Sequence, residues 1–185
     1  MTTPTAAPRA RKQIWILIAL FFAPLALAFL LYYGGGWRPP GSTNKGELIS
    51  PPRPLPDGAA WHGKWTLVYV GDGRCDEQCR AALLLTRQTR LALNADMTRV
   101  HRVFLVTGNC CDRTYLAAEH PDLGVEQVDN AAGAALLAVF PDVASGSIYI
   151  VDPLGNLMMR HAPSVGLSKD LLEDLRKLLK LSHIG

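Results

Sequence analysis

Two cysteines four residues apart are the residues of this sequence best suited to chemistry. Cys75 and Cys79 form a C-x-x-x-C pair that follows a short β-rich run, residues 66–70, through a glycine-flanked loop. If a helix begins near Cys75, the two side chains lie one above the other on the same helix face. Their sulfur atoms can then share a metal ion or, with adjustment at the helix start, form a disulfide. A helix N-terminus also stabilises a thiolate, which favours Cys75 as the attacking thiol.

The chemistry of such a pair has three alternatives. Thiolates are soft ligands, so Cu(I), zinc or disulfide exchange is favoured over hard cations. Zinc normally takes four ligands, and the motif supplies two. Cuprous copper accepts fewer ligands, and disulfide exchange needs no further ligand. The opposing interpretation is a pair that only packs, because free cysteine is often buried. A loop after a strand in an exported chain favours a functional pair.

The elements that must position the pair alternate between strands and helices. Strands are predicted at residues 66–70, 103–107, 125–128, 147–151 and 157–160, and helices at 75–93, 112–120 and 131–138. The last two strands are joined by a proline-glycine turn and predict a hairpin. Ser168 is expected to cap a final helix, whose buried stripe is formed by Leu171, Leu172, Leu175, Leu178 and Leu179. This order is the plan of an α/β, thioredoxin-like domain.

An N-terminal apolar segment predicts a single membrane anchor. Residues 14–33 carry no charge over twenty positions, which is about the length that crosses a bilayer core. Arg9, Arg11 and Lys12 precede the segment, so the N-terminus is expected in the cytoplasm and the remainder outside it. A cleaved signal peptide ending at residues 26–28 (Ala-Leu-Ala) is the alternative, but the length of the apolar run favours an uncleaved helix.

The predicted organisation is a cytoplasmic tail at 1–13, a transmembrane helix at 14–33, a linker at 34–60 and a domain at 61–185. The linker is rich in proline and glycine and lacks the apolar content to fold alone. Beyond residue 12 the chain has sixteen basic and sixteen acidic residues, so it lacks the basic footprint of a nucleic-acid-binding protein. The predicted location is a bacterial inner membrane, with the domain in the periplasm.

Two segments of the domain resemble the signature of the Sco/SenC family. They are GKWTLVYVG at 63–71, which runs into Cys75 and Cys79, and IYIVDPLG at 148–155. The resemblance covers about residues 61–180 and extends to the anchor, the proline-rich linker and the closing helix. It implies a membrane-anchored thioredoxin fold that binds copper and assists assembly of cytochrome c oxidase, chiefly of its binuclear copper centre. Cys75 and Cys79 would then be the copper ligands or the redox dithiol.

The sequence departs from that family at one expected copper ligand. Family sites use a histidine a few residues before the Tyr-x-x-Asp-Pro strand, and residues 142–149 (DVASGSIY) contain none. The proline often found inside the family's C-x-x-x-C is also missing. The first difference bears on copper binding, whereas neither bears on the fold.

Three other residues are candidate ligands or thiols. Cys110 and Cys111 follow the strand at 103–107 by two residues. If that strand neighbours the strand at 66–70, both cysteine pairs lie at the same edge of the sheet. One cysteine of the second pair is then a third ligand or a resolving thiol, or else the pair is inert. His161, which follows the hairpin, is the remaining metal-ligand candidate because imidazole binds copper.

Three functional hypotheses follow from these observations. The first is an assembly factor for cytochrome c oxidase that carries Cu(I), or keeps the oxidase's copper-ligand cysteines reduced, through Cys75 and Cys79. The second is a general periplasmic thiol–disulfide oxidoreductase with no copper partner. The third is a non-catalytic assembly scaffold. The expected partners are an oxidase subunit or its copper centre and the membrane, with no nucleic acid.

Overall fold

The computed structural model describes residues 8–34, 43–56, 61–182 and 184 of the chain. It consists of two units, Met1–Ser42 and Thr43–Gly185. The predicted tail at 1–13 and the predicted linker at 34–60 therefore lie partly outside the described residues.

The described part of the first unit contains one long helix, α1, at Pro8–Tyr33. From Arg11 to Tyr33 it is long and apolar enough to cross a membrane, by length and composition alone. It contains the predicted span at 14–33. Large apolar side chains such as Phe21 are exposed along it, and Pro24 lies inside it, which a membrane helix tolerates better than a soluble one. The chain thus carries an N-terminal helix suited to anchor it in a membrane.

The second unit is built on one six-stranded mixed sheet. Its strands are β1 Glu47–Pro54, β2 Trp65–Asp72, β3 Val100–Thr107, β4 Leu123–Gln127, β5 Ile148–Val151 and β6 Asn156–His161. The strand order is β1-β6-β5-β2-β3-β4. β2, β3 and β4 run parallel, whereas β5 is antiparallel to β2 and pairs with β6 as the predicted hairpin. The predicted strands are all present, and the fold is the α/β thioredoxin-like arrangement.

Among the described residues, four α-helices accompany this sheet: α2 Glu77–Leu91, α3 Arg113–Glu119, α4 Ala131–Leu137 and α5 Leu167–Leu181. The buried residues form two clusters because successive side chains of a strand point to opposite faces. Leu67 and Tyr69 of β2 pack in one cluster with residues of α2 and α5. Val68 and Val70 pack in the other, with Leu136 of α4. The sheet is therefore covered on both faces, and its central strand β2 is buried along most of its length.

Strand β1 occupies residues that the proline-rich composition predicts to be linker. It pairs antiparallel with β6 at the edge of the sheet, from Glu47 opposite Arg160 to Pro54 opposite Asn156. Proline cannot donate a backbone hydrogen bond, so it is tolerated in a strand with one free edge. The composition did not predict this strand, because an edge strand requires neither a continuous apolar pattern nor an N–H donor at every residue.

The prediction that Ser168 caps the last helix is wrong. α5 begins at Leu167, and its N-cap residue is Gly166, whose φ of 94° is in the left-handed region and which makes no side-chain cap. The helix therefore starts earlier, where a glycine supplies the turn. The predicted leucine stripe is confirmed in part: Leu171, Leu175 and Leu179 are buried, whereas Leu172 and Leu178 are partly buried against the same cluster.

Candidate functional site

Cys75 and Cys79 form a disulfide at the carboxyl end of β2, with their Cα atoms 5.0 Å apart. The prediction that the helix begins near Cys75 is wrong by two residues, since α2 begins at Glu77 with Asp76 as its N-cap. The two cysteines therefore do not stack on one helix face. Cys75 lies before the cap, with a φ of 43°, and Cys79 lies in the first helical turn.

Asp76 sets the start of α2. Its carboxylate accepts a hydrogen bond from the Cys79 N–H at 3.0 Å, and its carbonyl accepts one from the Arg80 N–H at 2.9 Å. Such a cap satisfies one of the N–H groups that a helix start leaves unpaired. The cap fixes the backbone of Cys79, whereas Cys75 is held in a backbone conformation that non-glycine residues rarely adopt. Strain of this kind gathers at functional sites.

Arg74 and Arg80, the arginines on either side of the cysteine motif, both have partners in the structure. Arg74 forms an exposed ion pair with Asp72 through its Nε atom, at 3.2 Å. Hydrogen bonds from the Arg74 backbone and guanidinium hold the pKa of Asp72 below its usual value. Arg80 donates through Nε to the Cys75 carbonyl at 3.3 Å and lies 5.2 Å from the centre of the Tyr115 ring. Arg80 therefore links the cysteine loop to α3, whereas Arg74 is paired with Asp72 at the surface.

Gly73 brings the first cysteine loop against the loop that follows β3. A Cβ atom at this position would overlap the carbonyl of Asn109 and come within 2.8 Å of the Cys110 Cα atom. The Gly73 N–H also donates to the Thr107 carbonyl at 3.4 Å. The two loops meet because β2 and β3 are parallel neighbours, with Asp72 opposite Thr107. The glycine is needed for this close approach, and sequence spacing alone does not reveal it.

A cavity of about 530 Å³ opens beside the Cys75–Cys79 disulfide. Both cysteines line it, together with Gln78 of α2 and a wall formed by residues 143, 144 and 146. Gly146 has a φ of 71°, and a Cβ there would overlap the Gln78 side-chain amide. The cavity therefore borders the disulfide between the start of α2 and the segment before β5.

Tyr69 forms part of the same cavity and is 4% exposed. Burial, and to a smaller degree the charge of Asp76, raises its pKa above the usual value. The phenol is therefore neutral at neutral pH. Gly71 leaves room for it, because a Cβ at that position would approach the Tyr69 ring to 2.9 Å.

The structure also contains a disulfide between Cys110 and Cys111, in the loop after β3. Both residues are partly buried and pack against the same core cluster that contains Cys75 and Cys79. The expectation that both pairs lie at one edge of the sheet is met by the parallel register of β2 and β3. Each pair is bonded within itself in this structure, and neither cysteine of the second pair lines the 530 Å³ cavity.

His161 lies away from the cysteines, against a buried acid. Its Nε2 atom is 3.5 Å from Asp174 Oδ2, and both side chains are almost fully buried. Burial lowers the pKa of His161, although the charge of Asp174 opposes the shift. Asp174 also accepts hydrogen bonds from the backbone N–H groups of Lys45 and Gly46, at 2.7 and 2.8 Å. His161 thus belongs to a contact that holds the chain just before β1 to α5.

Within the described residues, no three His, Cys, Asp or Glu side chains are grouped so that they could hold a metal ion. Cys75 and Cys79 are brought together as two sulfur donors. The third-ligand role of Cys110, Cys111 or His161 stays a prediction. Sequence reasoning missed Asp76, Gly73 and Asp174. Only Asp76 had a signal in the sequence, because an aspartate just before a predicted helix is a common N-cap residue.

The fold and the site define a thioredoxin-like protein, with a cysteine pair where the central strand of the sheet passes into the following helix. The chain belongs to the family described as transmembrane-like, thioredoxin-like, C-terminal domain, whose sequence profile matches residues 65–182. No match was found among the curated proteins.

Solved structures share the fold at low sequence identity. Yeast Sco1 with copper bound superposes with a TM-score of 0.52 at 17% identity, over 66% of this chain and 82% of that chain. The thioredoxin-like superfamily protein SPOA0173 superposes with a TM-score of 0.50 at 18% identity, over 75% of this chain and 100% of that chain. The thioredoxin domain of a thiol-disulfide oxidoreductase from Bacteroides vulgatus has a TM-score of 0.48 at 18% identity, over 64% of this chain and 81% of that chain. At these identities the first two likenesses show the fold alone.

Proposed function

We propose that this protein is a membrane-anchored thiol–disulfide exchange protein that acts through Cys75 and Cys79 in the assembly of cytochrome c oxidase. The observation that carries the proposal is the Cys75–Cys79 disulfide, which lines a cavity of about 530 Å³ at the start of α2. The basic residues before the anchor support a periplasmic location for the domain. In an oxidising compartment, cysteines that must bind copper need a dithiol to keep them reduced.

The reduced pair acts first through Cys75, which is 7% exposed against 2% for Cys79. The Cys75 thiolate attacks one sulfur of a substrate disulfide and forms a mixed disulfide, and the other substrate sulfur leaves as a thiolate. The Cys79 thiolate then attacks the Cys75 sulfur, and the second substrate sulfur leaves. The substrate gains two electrons, and the protein is left with the Cys75–Cys79 disulfide.

The substrate we propose is the cysteine pair that binds copper in the oxidase. The resemblance of residues 63–71 and 148–155 to the Sco/SenC signature supports this choice. Reduction of those cysteines requires no histidine at the cavity. The wall at residues 143, 144 and 146, which carries valine, alanine and glycine, is therefore compatible with it.

Cu(I) carriage is the second candidate function, and the two sulfur donors of the reduced Cys75–Cys79 pair support it. Reduced Cys75 and Cys79 offer two soft thiolates from backbone positions 5.0 Å apart, which suit cuprous copper. The cavity wall before β5 supplies no third metal-binding side chain. Copper would then be a cargo held by two sulfur atoms, to be passed to a site with more ligands.

The test of the exchange function uses the full-length chain in detergent and an oxidised peptide that carries the oxidase's copper-ligand cysteines. We expect the reduced protein to reduce this peptide with formation of the Cys75–Cys79 disulfide. The Cys75→Ser, Cys79→Ser variant should be inactive, whereas the matched Cys110→Ser, Cys111→Ser variant should retain activity. Equal rates on an unrelated disulfide peptide would indicate a general oxidoreductase, and absence of reduction would overturn the proposal.

A Cu(I) titration of the same variants, in competition with a chelator, tests carriage. One-to-one binding that is lost in the Cys75→Ser, Cys79→Ser variant supports it, and no competitive binding excludes it. Oxidase assembly in cells that express only the Cys75→Ser, Cys79→Ser variant distinguishes both functions from a scaffold. Normal assembly with that variant would mean that the thiols are not required.

A further inference from the structure

A second cavity, of about 390 Å³, lies between α3 and β4, apart from the Cys75–Cys79 cavity. Cys111 lines it at one end, and His120, which follows α3, lines it as well. The remaining walls are apolar apart from Arg113 and are formed by Leu116, Ala117, Pro121, Leu123 and Val125. Its volume is in the range of small-molecule sites, about 300–1,000 Å³. A sulfur atom and an imidazole thus share a cavity that the exchange mechanism above does not use.

His120 is a buried, neutral histidine that contacts a buried arginine. It is 3% exposed, and its Nδ1 atom lies 3.4 Å from Nη2 of the buried Arg102. A guanidinium can only donate, so Nδ1 must accept and the neutral ring carries its proton on Nε2. Burial lowers the pKa of His120, and the charges of Arg102 and Arg87 lower it further against the opposing charges of Asp122 and Glu119. The ring is therefore neutral at neutral pH.

The Nε2–H group of His120 has no hydrogen-bond partner among the described residues, although the atom is buried. A buried donor without a partner is costly and uncommon, so it calls for an explanation. Arg102 itself is fixed by Asp122 at 3.0 Å and by the Leu83 carbonyl at 2.7 Å. The ring cannot reverse its tautomer without losing the Arg102 contact. His120 is therefore held in one tautomer, and it lines the same cavity as Cys111.

The charges of this cavity indicate what it accepts. Arg113 is exposed and positively charged, and no acidic side chain is among the lining residues. A negatively charged small molecule with a thiol fits the combination of a cation, a sulfur atom and a neutral N–H donor. Glutathione is a convenient probe of this class because it carries carboxylates and one thiol.

We propose that Cys110, Cys111 and His120 form a second thiol–disulfide exchange site, at which a small anionic thiol reduces the Cys110–Cys111 disulfide through Cys111. The site is independent of the function proposed for Cys75 and Cys79. Cys111 is the sulfur that is attacked, because it is the cysteine of the pair that lines the cavity.

The exchange takes two steps. A thiolate of the small molecule attacks the Cys111 sulfur, a mixed disulfide forms, and Cys110 leaves as a thiolate. A second thiolate attacks the small-molecule sulfur of that mixed disulfide, and Cys111 leaves as a thiolate that accepts a hydrogen bond from His120 Nε2–H. Two small thiols are oxidised to one disulfide, and the protein pair gains the two electrons and takes up two protons.

The test uses the full-length Cys75→Ser, Cys79→Ser chain in detergent, so that only the second pair reacts, with glutathione as the probe. Quenching by acid and peptide mass analysis are expected to find the glutathione adduct on Cys111 rather than Cys110. His120→Leu removes the donor and should slow release of the adduct by about tenfold, since one charge-assisted hydrogen bond is lost. His120→Gln retains an N–H donor and should restore most of the rate.

Two further comparisons separate this role from a structural one. Arg113→Gln should slow the reaction with glutathione but not with uncharged 2-mercaptoethanol, because only glutathione carries carboxylates. Thermal unfolding of each variant reports whether it is folded, and rates are compared only among folded variants. An adduct on Cys110, equal rates for His120→Leu and the unsubstituted background, or loss of rate in His120→Gln as large as in His120→Leu would each overturn the proposal.

Discussion

At Gly73 the first cysteine loop packs directly against the second. Its backbone contacts the loop of Asn109 and Cys110, and no side chain fits between them. The collision is with backbone atoms, which cannot rotate away as a flexible side chain can. A single methyl group therefore tests how firmly the two loops are packed.

We expect Gly73→Ala to lower the free energy of unfolding by about 1–3 kcal/mol, the usual cost of overpacking. Gly124→Ala is the matched control, because a Cβ there makes ordinary contacts, 3.5 Å from the Arg102 carbonyl. Urea unfolding of the full-length chain in detergent, followed by tryptophan fluorescence, provides the measurement. Equal effects of the two substitutions would show that the loops are not closely packed.

The sequence predicts the role of some residues and not the contacts of others. The spacing of Cys75 and Cys79 after a glycine-flanked loop is enough to propose a dithiol. The contact of His161 with Asp174 is not predictable in this way, because thirteen positions along the chain and a turn between strand and helix separate the two residues. His161 was predicted as a metal-ligand candidate from its residue type, and its neighbour is decided by packing.

Helix α2 depends on one cap at the cysteine pair. Asp76 accepts the Cys79 N–H at 3.0 Å and thereby separates the helical Cys79 from the non-helical Cys75. Its charge also contributes to the raised pKa of Tyr69. The cap and the charge are two different effects of one carboxylate, and substitutions can separate them.

Asp76→Ala should destabilise the protein by about 0.5–2 kcal/mol, because the Cys79 N–H loses its acceptor. Asp76→Asn keeps a capping oxygen and should remain within a few tenths of a kcal/mol of the unsubstituted protein, since asparagine caps about as well. Both variants should lower the pKa of Tyr69, which spectrophotometric titration of the phenol measures. If Asp76→Asn were as unstable as Asp76→Ala, the charge rather than the cap would stabilise the helix start.

Among the elements, the alternation of strands and helices from residue 66 onward is predictable, because their apolar periods are strong. The predicted starts of α2 and α5 were each displaced by two residues, since the local conformation at the N-cap rather than periodicity sets them. Strand β1 could not be predicted from its composition. It exists because β6 offers a free edge, and a free edge is a property of the assembled sheet.

The whole domain should lose stability as the pH falls through the range in which histidine titrates. Burial lowers the pKa of His161 and His120 from the usual 6.5. The unfolded chain then binds protons at a higher pH than the folded chain does. The stability that these groups contribute is complete above pH 6.5 and is lost as the pH falls towards their folded-state values.

Urea unfolding at several pH values between 8 and 5 is expected to show this loss, with a slope of at most about 1.4 kcal/mol per pH unit for each histidine. His161→Gln should reduce the slope, because one titrating group is removed. Stability that is constant or increases as the pH falls would contradict the prediction.

The charges beside the apolar helix predict how the chain is oriented in a membrane. We expect alkaline phosphatase fused to the C-terminus to be active, because that enzyme folds only outside the cytoplasm. Replacement of Arg9, Arg11 and Lys12 by Gln should lower its activity several-fold, since positive charge retains the N-terminus inside. Replacement of Arg38 and Lys45, which follow the span, is the control and should leave activity unchanged. Full activity of the triple variant would contradict the positive-inside assignment.

The sequence by itself determined the class of the domain, the apolar N-terminal helix and the pairing of Cys75 with Cys79 after β2. These features rest on local information, namely residue type, spacing and apolar period, which short stretches of chain carry on their own. The tertiary structure decided which groups meet across the sheet. It brought Gly73 onto the second cysteine loop, His161 onto Asp174, and Cys111 and His120 into one cavity. Such contacts join residues from different elements, and the order of strands in the sheet, which no local pattern encodes, sets the distances between them.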